Sequence, residues 1–166
     1  GQWPWSRVRM AELVNKTLAY EPAVIGFDIL FSEPDRYSAS VFASLIPGIS
    51  PEMVAKAKAL PSGDREFADA LKQGNTVLAI ADLTDPTPRS DPLPKVAPIR
   101  LATKVELPFK RLNNILLSVP EIDEAATGRG FISADAEDGI MRRAPLFARI
   151  GKAGGADDAI ALSLGM

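Results

Sequence analysis

The chain has 166 residues, 46% hydrophobic and 24% charged, with a net charge of −2. That length suits one domain with a core of its own, needing neither a disulfide nor a structural metal to fold. It holds no Cys and no His. Cysteine nucleophiles, Ser-His-Asp triads and the usual zinc and haem ligand sets are therefore excluded. Lys and Arg are scattered rather than striped, so nucleic acid is not expected as a partner.

Residues 6–19, SRVRMAELVNKTLA, read as an amphipathic helix. Met10, Ala11, Val14 and Leu18 share one face, Ser6 is placed to cap, and Glu21-Pro22 stops it. Trp3-Pro4-Trp5 precedes this helix. The pair of indoles fits either a membrane interface or a hydrophobic staple.

Residues 23–31 read as the first strand. Ile25, Phe27, Ile29 and Phe31 alternate with Val24, Gly26, Asp28 and Leu30. Apolar residues on both faces predict a central, covered strand, with Asp28 buried in it. A buried ionised carboxylate must be paired or hydrogen-bonded. The expectation is a structural anchor, held by the 32–36 turn or by Arg142 or Arg143. Glu33, Asp35 and Arg36 are then the exposed, ligand-facing candidates.

Residues 38–46 and 51–59 read as helices split by Pro47-Gly48. LPSGDREFADALKQG predicts another, capped by Ser62 or Asp64 and ended by Gly74. Residues 76–82 form the second strand. Five prolines between residues 84 and 98 make a long extended loop. LATKVELPF suggests a short edge strand, and residues 110–118 and 120–127 are read as helices. GRGFISAD and RRAPLFARI are the third and fourth strands. Asp138-Gly139 suits a tight turn that makes them antiparallel neighbours. Residues 157–165 read as the start of a final helix. The order predicts a mixed α/β fold: a mainly parallel central sheet, an antiparallel C-terminal hairpin and helices on both faces. Residues 1–166 are expected to form a single domain.

Three strands end in or near Asp28, Asp82 and Asp135. Parallel strands would gather these carboxylates at the sheet end where α/β folds place ligands. An oxygen-ligated Mg²⁺ or Ca²⁺ site, and with it a metal-dependent hydrolase, is the sharp reading. Asp is also common where a strand yields to a turn, and that bland reading is preferred. No metal or cofactor is assigned, and no catalytic residue is named. Asp135–Gly139 lacks the full pattern of an EF-hand loop. Neither GxGxxG, GxxxxGK[ST] nor GxSxG occurs. Arg142-Arg143 reads as an internal ion-pair donor or, in the sharper version, a ligand clamp.

WPW before a helix, VIGFDILFSEPDR, LP-x-x-D before EFADAL, and GFISAD…DGIMRRAPLFARI together resemble the type-two CHASE family, from Trp3 to about Leu164. The resemblance implies an extracytoplasmic sensory domain cut from a bacterial membrane receptor, with flanking membrane segments. It also implies a cyclase or kinase output and a homodimer in the full receptor. The family pattern covers Asp28, Phe31, Ser32, Glu33, Pro34, Asp35, Arg36, Asp64, Asp138, Gly139, Arg142, Arg143 and Pro145, and gives none of them a chemical role. Asp28, Ser32, Glu33, Asp35, Arg36, Asp64, Arg142 and Arg143 are the candidate ligand-binding or anchoring residues. The ligand is an unidentified small molecule or environmental signal. A purely structural dimerisation module, using the Pro-rich loop, is the remaining alternative.

Overall fold

The computed structural model describes residues 4–83, 109–112, 114–132, 145–150 and 159–164. Its described residues fall into two compact units. One draws on Gly1–Ile25, Phe31–Thr76 and Val119–Thr127, the other on Gly26–Leu30, Val77–Ser118 and Gly128–Met166.

The first unit is helical. α1 (Arg7–Leu18) is capped by Ser6, whose side chain accepts from the Arg9 N–H. Met10, Ala11 and Val14 are buried, and the helix packs on α4 (Gly63–Leu71). Ser62 caps α4, and the helix buries Phe67, Ala68, Ala70 and Leu71. Every third or fourth residue of α4 is apolar, which is why one stripe turns inward. α5 (Pro120–Ala125) closes over α4 with Ile122 and Ala125. Between α1 and α4 lie two short helices, α2 (Ala39–Ser44) and α3 (Pro51–Ala59), which pack on each other.

Polar side chains fasten the exits of these helices. The Thr76 hydroxyl, fully buried, donates to the Leu71 carbonyl at 3.3 Å. Asn75 donates its side-chain amide to Ala23 O, and its own carbonyl accepts the Ile25 N–H. Each bond satisfies a backbone group that helix or strand termination leaves open.

The second unit is built on strands. β2 (Thr76–Asp82) pairs with β1 (Ile25–Phe27), runs antiparallel to β4 (Ile115–Leu116) and runs parallel to β5 (Gly128–Phe131). Separately, β3 (Lys110–Leu112) pairs in parallel with β6 (Phe147–Ile150), and β6 is antiparallel to β7 (Ala159–Leu162). Ile80, Leu112, Ile115, Phe131, Ala148 and Ile150 form the core here. Leu78, Ala79 and Ile80 are all buried, so β2 is the covered strand that its apolar run predicts.

The fold is the expected mixed α/β arrangement, with parallel and antiparallel pairs. Several elements differ in detail. The first strand spans Ile25–Phe27, not 23–31. Residues 110–118 hold two short strands instead of a helix, and residues 159–162 are strand instead of helix. Apolar runs this short fit either state, and pairing to β2 and β6 decides them. The antiparallel C-terminal pair joins β6 to β7, whereas β5 takes β2 as its partner. The Asp138-Gly139 turn, the 84–98 loop and all of LATKVELPF except Phe109 lie outside the described residues.

Candidate functional site

A buried polar cluster lies in the helical unit. It joins the start of α1, the turn after Phe31 and the start of α4. Asp35 and Asp64 are 4% and 7% exposed, uncommon values for carboxylates. Their burial is explained by what they bind. One Asp35 oxygen accepts the Arg7 N–H at 3.1 Å, and the other accepts the Tyr37 N–H at 3.1 Å. Asp64 accepts the Asp35 N–H at 2.9 Å. Its second oxygen faces Arg7 Nε at 3.2 Å. That contact is a charge pair without aligned hydrogen-bond geometry, for neither atom has a hydrogen-bond partner.

Arg7 completes the cluster. Its Nη2 donates to the Glu33 carbonyl at 3.0 Å, and its Cζ lies 4.6 Å from the centre of the Phe31 ring. Phe31 in turn meets Phe67 of α4 edge-on, with centroids 4.9 Å apart. A guanidinium over an aromatic face gains from the ring quadrupole, and the T-shaped aromatic pair gains beyond its area. The guanidinium pairs with Asp64 alone, while Asp35 binds the Arg7 backbone N–H, so main-chain donors must supply the rest of the stabilisation. They do: three of the four carboxylate oxygens accept from the main chain.

Local sequence dictates this arrangement. Arg7 is the first residue of α1, where a cation opposes the helix dipole. No acidic residue in the first turn offsets it. Asp35 supplies the missing anion from elsewhere in the chain and caps the orphaned Arg7 N–H. Asp64 sits in the first turn of α4, where the dipole favours it. Gly63 is required beside it. A Cβ at Gly63 would collide with an Asp35 carboxylate oxygen and approach Arg7 Cβ to 3.2 Å. Asp35 is further fixed as a turn residue, its carbonyl accepting the Ser38 N–H. Ser38 then caps α2.

The expected burial of Asp28 and Asp35 is reversed. Asp28 is exposed, in the other unit, immediately after β1 ends at Phe27. It is not a buried anchor, because the strand stops before it and turns its side chain out to water. Asp35, expected to be exposed, is the buried carboxylate. Ser32, Glu33 and Arg36 are exposed, and Glu33 joins the cluster through its backbone only. Arg142, Arg143 and Asp135 lie outside the described residues. Asp82 is partly buried and accepts the Asn114 N–H at 2.9 Å, a strand-end fastening. Among the described residues no three acidic side chains come together to hold a cation.

Arg7 is the cluster residue that sequence reasoning missed. Its signal was a cation at the first helical position, with no acidic residue in that turn. Trp5, two residues earlier, is 43% exposed and lines a shallow groove with Arg9, Glu12, Leu13 and Lys16. It is not a fully buried staple.

The arrangement offers no nucleophile with a base. What it can do is mechanical: it holds the entrance of α1 to two segments distant in sequence through charge and hydrogen bonds. No described helix is long and apolar enough to cross a membrane. No curated protein and no solved structure matches the chain. The CHASE2 domain family matches over residues 1–166, the whole chain. Across that length, from the Trp-flanked α1 through the Asp35 turn to β7, the chain belongs to the CHASE2 domain family, a family of sensory domains.

Proposed function

We propose that this chain is the extracytoplasmic sensing domain of a bacterial transmembrane receptor. It responds to a small ligand or an environmental signal, and it acts as a homodimer in the full receptor. Flanking membrane helices relay the change to a cytoplasmic nucleotide cyclase or kinase. The observation that carries the reading is the match to a sensory family along the entire chain. The Arg7–Asp35–Asp64 clasp gives it a physical route, because it ties the start of α1 to the turn after Phe31 and to α4. A signal that favours one state of this clasp shifts α1 only by as much as its affinities for the two states differ.

Residues 1–166 hold no Cys, so a thiol introduced here is the only one in the domain, and the unsubstituted receptor serves as the labelling background. Tyr20 is 88% exposed just beyond α1. A Tyr20→Cys substitution in the full-length protein is expected to react with a membrane-impermeant maleimide in intact cells. Reaction only after lysis would place the domain in the cytoplasm and refute the reading. Deleting residues 1–166 from the receptor is expected to uncouple its output from its stimulus.

A further inference from the structure

The α2–α3 hairpin exposes apolar surface that nothing among the described residues covers. Phe42, Leu45 and Ile46 of the α2 end are 65%, 72% and 44% exposed. Met53 of α3 and Leu60 at its cap are each 57% exposed. Phe42 lies in the last turn of α2 with Leu45 and Ile46 directly after it, and Met53 lies in the first turn of α3 with Leu60 at its C-cap. α3 buries no residue at all, and α2 buries only Ala43. The two helices pack on each other. Scattered exposed apolar residues are ordinary, but five large ones on one short hairpin mark an interaction surface.

We propose that this hairpin is the contact surface for a second copy of the chain, in a two-fold symmetric dimer. The inference rests on the dimeric reading above and names its surface. Area supports it. At these exposures the five side chains present on the order of 500 Å² per copy, so a self-complementary contact buries about 1,000 Å² in total, the lower bound for a specific interface. Charge supports it too. Residues 37–60 hold three charged side chains, Glu52, Lys56 and Lys58. Glu52 and Lys56 neutralise each other at 2.8 Å. One uncompensated Lys58 per copy opposes self-association weakly, and it is too little charge to draw the hairpin onto an anionic lipid surface, which takes a Lys-rich polar face. A two-fold contact places the same patch on both partners, so the hairpin needs no second, different surface.

Sedimentation equilibrium of the 166-residue chain tests this, beside co-sedimentation with phosphatidylglycerol vesicles. The chain is expected to dimerise in the micromolar range. Phe42→Ser with Leu45→Gln should raise the dissociation constant at least tenfold, and Met53→Gln with Leu60→Gln should do likewise if the first pair fails to fold. Leu13→Gln, on the exposed side of α1, should leave it unchanged. A monomer at every soluble concentration overturns the proposal. So does a dimer indifferent to both hairpin variants, which would leave the dimeric reading standing on another surface. Vesicle binding by a monomer, lost in the hairpin variants, would make lipid the occupant and overturn it as well. None of these outcomes touches the sensory reading, which is judged by receptor topology and output.

Discussion

Replacing Asp64 by Asn removes one charge and almost no volume. The Asn side-chain oxygen still accepts the Asp35 N–H, so the perturbation isolates the pairing with Arg7. Removing one partner of a buried pair costs about 3–5 kcal/mol, because the other charge is stranded. The value here is smaller for three reasons. The Arg7 and Asp64 side chains keep 12% and 11% exposure. Arg7 retains the Glu33 carbonyl and the Phe31 ring. The Asp35 carboxylate, bonded to the Arg7 N–H, remains as a second anion. We therefore expect a loss of about 2–3 kcal/mol. For a domain of this size that lowers the melting temperature by roughly 4–12 °C. Urea unfolding followed by tryptophan fluorescence suits the measurement, since Trp5 lies just before α1 and lines a groove on it. Arg7→Met combined with Asp64→Asn should lose less than the sum of the single changes, by about 1 kcal/mol or more. A loss below about 0.5 kcal/mol for Asp64→Asn, the size of an ordinary surface change, would refute the clasp.

Gly63→Ala should destabilise by about 1–2 kcal/mol although Ala is the better helix former, because its methyl group meets Asp35 and Arg7; a gain in melting temperature would show that the cluster yields freely. Phe67→Ala should cost about 3–5 kcal/mol, since the ring is fully buried against Phe31; calorimetry giving less than half of that would point to a site that collapses. Asp69 is held below the usual carboxylate range, first by its hydrogen bond from Lys72 and then by that charge. Its folded-state value is depressed, so its contribution is present above the ordinary carboxyl value and lost as pH falls through the lowered one. NMR titration of Asp69 should place its midpoint below that of Lys72→Ala protein, and equal midpoints would contradict the pairing.

The helical unit was the more legible in sequence. Ser6, Ser38, Ser50 and Ser62 cap α1 to α4. Apolar spacing and these caps agree, so local chemistry and tertiary packing point the same way. β2 was equally plain, a seven-residue apolar strand with a buried centre. The short strands were not. Ala159–Leu162 and Ile115–Leu116 carry too few residues to show a period, and only pairing with distant strands makes them extended.

The site was half legible. The Asp residues around Phe31 and Ser62 stood out, but which of them is buried depended on where β1 stops. It stops at Phe27, so Asp28 points to water and the later turn folds Asp35 inward. Arg7 could not be paired in advance, since its partners lie 28 and 57 positions further along the chain. Charge placement against a helix dipole was the available clue.

The sensing role proposed for the domain makes the clasp at the start of α1 part of a signalling relay. The direct test is the basal output of the full-length receptor, read as nucleotide synthesis or autophosphorylation in membranes, with wild-type protein, Asp64→Asn and the Arg7→Met/Asp64→Asn pair at matched expression. Asp64→Asn is expected to shift output several-fold, and the double variant to move it back towards wild type. Identical output from all three, alongside a measured loss of domain stability in the single variant, would contradict it and leave the cluster a fastener only.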